Sequence, residues 1–273
     1  MTVRITDHIV MRRRFFLIAG IATACGGGAT LTEAPSPIAL AQDSATTTVA
    51  PTTTTTTVAP TTTTSTIPPN PDRTWVATAK PHVTHLAPSI EPDGDLYTMP
   101  WFQPNPHQFG TALTLMMTEG QPGDDWVKVQ LPIRPNSQEA WVSTEDYDVS
   151  AVFHRAEVNL TSQSVTVWER GEVIAQTDAV VGGSNSPTPF GSFFVVSAVD
   201  DYFGEPALVL SSFSEALDTF DGGLPVIAIH RTFGEGQESD HNVGSNGCVR
   251  IPTEMIRFLA GQVPLGTPVD VVA

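Results

Sequence analysis

The stretch "AEVNLTSQSVTVWERGEVIAQTDAVVGG", Ala156 to Gly183, decides how the second half of this chain folds. Its three runs have the Val, Thr, Ile and Trp content of strands and are broken near Ser162–Ser164 and at "ERGE" (169–172), so it reads as an up-and-down meander. Outward from it, "GSFFVVSAV" (191–199) reads as a fourth strand, "LPVIAIH" (224–230) as another ending on His230, and "GTPVDVVA" (266–273) as a closing one. One helix is expected over "PTEMIRFLAG" (252–261): Pro252 suits a first helical position, Met255, Ile256 and Leu259 share a face, and Gly261 can end it. A mainly β unit with so little helix packs as a β-sandwich or a mixed curved sheet.

Upstream, the region from about 72 to 149 has short apolar runs between Pro, Gly, Asn and Asp, which predicts a small all-β domain. In "WVKVQL" (126–131), Trp126, Lys128 and Gln130 alternate with Val127, Val129 and Leu131; the turn "RPNSQ" and then "AWVS" complete a hairpin. This region resembles the last hairpin of a bacterial SH3-like wall-targeting barrel. Trp101, Trp126 and Trp141 are expected in its core, with a glycan or peptide platform as the other reading. His82 and His85 supply only two candidate ligands, too few for zinc.

Before this region, residues 42–71 collapse into "SATTTVAPTTTTTTVAPTTTTSTIPPNP" and its short lead-in, a Thr/Pro-rich composition with almost nothing to bury, so a disordered tether is expected. Residues 1–41 read as a signal peptide: Arg12, Arg13 and Arg14 precede the apolar run Phe15–Ala24, and "ALAQD" offers a small-residue cut. The arginines suit a twin-arginine route, and Sec export stays open. Cys25, in "ATAC", is a candidate lipidation site. The run is too short for a span, so the mature chain is expected to carry no membrane helix and to work in the wall, periplasm or extracellular space, as a monomer.

The 273-residue chain has a net charge of −16, and the part from Gln42 on holds nine Lys and Arg against twenty-seven Asp and Glu. An acidic surface without a basic stripe repels polyanions, so nucleic acid is excluded as a partner. Cleavage or acylation removes Cys25 from play, and Cys248 then has no disulfide partner within the chain.

An unpaired thiol in an oxidising compartment points to chemistry. A nucleophilic cysteine needs to be a thiolate, with a nearby base or cation to hold it as one and donors for the oxyanion that attack creates, so a sulfur ionised by a neighbouring imidazole is expected. His230 ends a strand eighteen residues before Cys248, and the backbone amides of Gly247 and Cys248 are the candidate oxyanion donors, the glycine permitting close approach. A zinc site grouping His230, Asp240, His241 and Cys248 lacks the spacing of a zinc motif, so no metal and no cofactor is expected.

The segments "PVIAIHRT" and "GSNGCVRIP", with "VVGGSNSPTPFGSF" before them, resemble the His…Ser-His/Asn-Gly-Cys-x-Arg signature and the Gly…Thr-Pro-x-Gly strand of the L,D-transpeptidase (YkuD-type) catalytic domain, over about 120 residues within 150–273. That resemblance implies an enzyme, a cysteine acyltransferase that cross-links peptidoglycan stem peptides through a Cys248 thioester with His230 as acid and base, and that carbapenem-like agents acylate. It leaves open an L,D-carboxypeptidase, with water as acceptor, and a catalytically weak wall-binding adaptor. Ser245, Asn246, Arg250, Arg231 and Thr232 are implied in substrate binding or loop support. Two positions depart from the family pattern: Asn246 stands where many members have histidine, and Arg231 where glycine commonly follows the histidine.

Overall fold

The structure is a computed structural model and describes residues 73–232 and 244–273. The leader (1–41), the tether (42–71), Asp240 and His241 lie outside the described residues.

Five strands come first: β1 (Thr74–Ala79), β2 (Thr114–Glu119), β3 (Trp126–Gln130), β4 (Glu139–Ser143) and β5 (Tyr147–Val152). They make an antiparallel sheet in the order β4-β3-β2-β1-β5. The expected hairpin is present, with Lys128 opposite Trp141 and Trp126 opposite Ser143. Strand alternation sends Val127, Val129, Ala140 and Val142 into the core. The same parity leaves Trp126 and Trp141 half-buried on the other face, flanking Lys128, so neither is the core residue expected from sequence. Trp101 does pack against the core.

Eight more strands and one helix follow: β6 (His154–Asn159), β7 (Ser164–Glu169), β8 (Glu172–Asp178), β9 (Gly191–Tyr202), β10 (Glu205–Phe213), β11 (Val226–Arg231), β12 (Val249–Ile251), α1 (Thr253–Gln262) and β13 (Pro268–Val272). The sheet order is β12-β11-β10-β9-β13-β6-β7-β8. Among the described strands, only β11 with β12 and β13 with β6 run parallel. The meander is as expected, with Glu169 facing Glu172 across Arg170 and Gly171, both at positive φ. The sequence reading missed β10. Pro206 near its start falls in the register irregularity between Glu205 and Ala207, and proline within a run argues against a strand.

The helix also differs at both ends. Pro252 is its N-cap and not its first residue, and Gly261 lies inside it. The stop is Val263, extended at φ −85° and ψ 112° because it precedes Pro264, whose ring disfavours the helical region for its neighbour.

Past β8 the chain turns back on the other edge of the sheet. Val180 and Arg250 exchange backbone hydrogen bonds of 2.8 Å each way, and Gly182 bridges Ser245. The sheet is therefore curled and nearly closed. Its interior holds Val158, Val167, Phe193, Leu208, Ile229 and Val249, covered by Ile256 and Leu259 of α1.

"GSFFVVSAV" has no polar alternation because β9 is buried on both faces. Phe193 and Val195 point into the curled sheet, whereas Phe194 and Val196 join Val209 in the core under the first sheet. Each such side chain contributes at most about 1.5–3 kcal/mol by leaving water. Polar contacts fix the same seam: Asn136 makes two hydrogen bonds to the backbone of Phe213, and Gln130 donates to the carbonyl of Ser192 at 2.8 Å. A Cβ on Gly266 would lie 2.4 Å from Val76 Cγ1, so the two sheets approach to within a side chain's thickness.

Candidate active site

His230 is next to last in β11, and Cys248 immediately precedes β12. The parallel register sets Ile229 beside Val249 and His230 beside Arg250. Carried back one residue, it sets Cys248 opposite Ala228. Ile229 and Val249 fill the interior. By alternation Ala228, His230, Cys248 and Arg250 belong to the outer face, with His230 and Cys248 as diagonal neighbours, a relationship that separates Cα atoms by about 7–8 Å and leaves long side chains in reach.

His230 is 2% exposed. Its Nδ1 lies 2.7 Å from the carbonyl oxygen of Arg231, which can only accept, so Nδ1 carries the proton and Nε2 is the basic nitrogen of the neutral ring. Burial lowers the imidazole to about 4; the bond to Arg231 opposes this, and the charges of Arg250 and Arg231 add to it.

The thiol is pushed the other way. Burial raises it, and the Ala228 amide and the charge of Arg250 offset only part of that rise. Its Sγ is 3.9 Å from the carbonyl of Val226. Cys248 is half-buried. A raised thiol beside a lowered imidazole describes a neutral pair at rest, in which His230 is an unprotonated acceptor rather than the cation of a preformed ion pair.

The turn carrying the sulfur is held by its own side chains. Ser245 Oγ donates to the carbonyl of Cys248 and accepts from the amide of Gly247 at 3.0 Å. The Gly247 amide is thus engaged in this turn, which leaves the amide of Cys248 itself as the remaining candidate donor for an oxyanion. Gly247 has φ +109°, and a Cβ there would meet Ile227 Cδ1 at 2.8 Å, so the position demands glycine on two counts. From the other side, Ser245 donates to the carbonyl of Val181 and accepts from the amide of Gly183.

The remaining expected residues separate. Asn246 is exposed on the turn. Arg250 is half-buried, and its charge bears on His230, Cys248 and Tyr202. Arg231 donates to the carbonyls of Phe203 and Thr232, and buried Thr232 donates its amide to Ile251. Arg231 thus meets the backbone of the turn after β9, and Thr232 the end of β12.

Tyr202 was not anticipated. Its ring lies 5.1 Å from that of His230, and burial, then the charge of Cys248, raises its phenol. The signal for it in the sequence is slight: an aromatic at the end of a strand, before the two-residue turn Phe203–Gly204. The Val226 carbonyl and Ala228 amide beside the sulfur are main-chain groups and have no side-chain signature.

Among the described residues, no three His, Cys, Asp or Glu side chains gather as metal ligands, and no helix is long and apolar enough to cross a membrane.

Residues 154–271 match the YkuD family model, the L,D-transpeptidase catalytic domain. No curated protein matches the chain. Among solved structures, an Enterococcus faecium L,D-transpeptidase C442S mutant is 25% identical over 43% of this chain and 48% of its own, with a TM-score of 0.34. An L,D-transpeptidase (Yku) from Stackebrandtia nassauensis is 19% identical over 44% and 55%, with a TM-score of 0.32. LdtMt1, an LD transpeptidase in complex with imipenem, is 14% identical over 72% and 82%, with a TM-score of 0.35. The chain spans about half the length of the first two.

Proposed function

On the premise that residues 154–271 carry the L,D-transpeptidase catalytic domain, we propose that this protein cross-links peptidoglycan stem peptides through a thioester on Cys248. The observation that supports this most is the placement of His230 and Cys248 on one face of adjoining parallel strands inside the matched segment.

The donor is a stem peptide whose diamino acid is joined to a terminal D-alanine. As the sulfur adds to that carbonyl, the thiol proton passes to Nε2 of His230, and the oxyanion takes a hydrogen bond from the Cys248 amide. Collapse breaks the C–N bond; His230 returns the proton to the departing D-alanine amine, and a thioester remains. A side-chain amine of a second stem then attacks, gives its proton to His230 and expels the sulfur, forming the cross-link. Lowered to about 4, the imidazole is unprotonated at neutral pH, and the charge that gathers on it during transfer is opposed by burial. The charge of Arg250 eases the charge on sulfur during transfer.

The run Arg12–Arg14 before Phe15–Ala24 supports export to the wall, and the sheet of β1 to β5 is the module expected to face it. Carbapenem-like compounds would acylate the same sulfur, with opening of the lactam ring.

Intact mass spectrometry after incubation with a tetrapeptide-bearing muropeptide tests the reading. An adduct of the stem peptide lacking D-alanine on the wild type, absent from Cys248→Ala, is the expected result. Absence of both adduct and D-alanine release from wild type sinks it and favours an adaptor. Release of D-alanine without cross-linked dimer assigns water as the acceptor.

A further inference from the structure

Arg231 lies next to His230 and, by strand alternation, points to the opposite side of β11. Its side chain turns to the hairpin of β9 and β10: Nη2 donates to the Phe203 carbonyl at 2.9 Å, and Nη1 to Thr232 at 3.2 Å. The hairpin closes through Phe203 and Gly204, both at positive φ, and Tyr202 pairs with Glu205 across it. On its far side Glu205 is gripped by both Nε and Nη2 of Arg257 from α1, with Nε at 2.7 Å. Two arginines from separate elements therefore hold this turn. Tyr202, on the held turn, packs on the His230 ring at 5.1 Å and also packs edge-on against Phe203, whose carbonyl Arg231 engages.

We propose that Arg231 is a positioning residue of the Cys248 site: it fixes the Phe203 carbonyl so that Tyr202 stays packed on His230 and screens the thiol. This rests on the reading of Cys248 and His230 as the reacting pair. It gives Arg231, which stands where glycine commonly follows the histidine in the family pattern, a task on the far side of the strand. The main-chain carbonyl of Arg231 accepts from His230 Nδ1, whereas its guanidinium reaches the Phe203 and Thr232 carbonyls, and it is the guanidinium's hold on the hairpin that acts through Tyr202.

The groups that set the charge around His230 and Cys248 are Tyr202 of β9, Arg231 of β11 and Arg250 beside the nucleophile, with Asp221 reaching Tyr202 from the turn before β11. Loss of the Arg231 contact should free the hairpin tip and admit water and small reagents to the sulfur.

The test is the rate at which iodoacetamide alkylates Cys248 in the full chain, read by mass on the peptide carrying that residue. Arg231→Ala and Tyr202→Ala are each expected to speed alkylation about fivefold, and the double variant no further, because contacting residues in one path do not act additively. Arg231→Lys, which keeps one donor for Phe203, is expected within about twofold of wild type. A wild-type rate in Arg231→Ala, a double variant showing the product of both effects, or a lysine variant as fast as the alanine one overturns the proposal. Should Arg231→Ala fail to fold, Arg231→Gln takes its place under the same criteria. Alkylation requires no peptidoglycan, so it reports on this contact even if the muropeptide experiment fails.

Discussion

Thr188 Oγ1 donates to the carbonyl of Gly247 at 2.8 Å, tying the segment after β8 to the turn that carries Cys248, 59 residues farther along the chain. The same hydroxyl accepts the amide of Gly182, also at 2.8 Å. Thr188 is 3% exposed, so water cannot substitute for either bond.

Thr188→Val keeps the shape of the side chain and leaves two main-chain groups unpaired. The expected loss of stability is about 2–6 kcal/mol, since each stranded buried group costs about 1–3. Thr188→Ser, which restores the hydroxyl, should lie within about 1 kcal/mol of wild type. Denaturant melts of the three proteins decide the point, and a valine variant as stable as wild type would refute the bolt.

Alkylation of Cys248 should quicken steadily from neutral to alkaline pH, with a midpoint above that of an ordinary thiol, because burial disfavours the thiolate. A rate that already levels off near neutrality would show a preformed thiolate–imidazolium pair and contradict the neutral resting state that burial of both groups implies.

Acid should weaken the fold through His230. The folded value is about 4 against 6.5 for the free imidazole, so the unfolded chain takes up a proton first as pH falls. Stability from this group is complete above pH 6.5 and is lost between there and about 4, a change of about 3 kcal/mol. His107 and His154 are also lowered by burial, so the measurement is the difference in acid sensitivity between wild type and His230→Gln. Equal pH slopes for the two proteins would remove His230 from the account.

Much of this was legible in the chain. Val, Thr and Trp alternating about "ERGE" specify the β6–β8 meander because the signal is local: residues that pair are few positions apart. The catalytic candidates were legible for the opposite reason, since a lone thiol in a polar Ser-Asn-Gly-Cys turn has no structural purpose to hide behind. What escaped was non-local. β10 was obscured by Pro206, whose tolerance depends on an irregularity made with β9. Trp126 and Trp141 were misplaced because the face that a strand buries is settled by the sheet laid against it. Tyr202 owes its place at the site to a turn held by β11 and α1. The acid–base state of the pair was not legible either, since it follows from how densely the surrounding atoms pack.

The curling of the sheet onto its own edge limits how any peptide can meet Cys248. β12 has β11 on one flank and the Val180–Gly183 run on the other, so the ladder there has no vacancy for a visiting strand. A peptide therefore cannot reach the sulfur as an added strand of β12, and whatever holds its backbone must be something other than the edge of that strand.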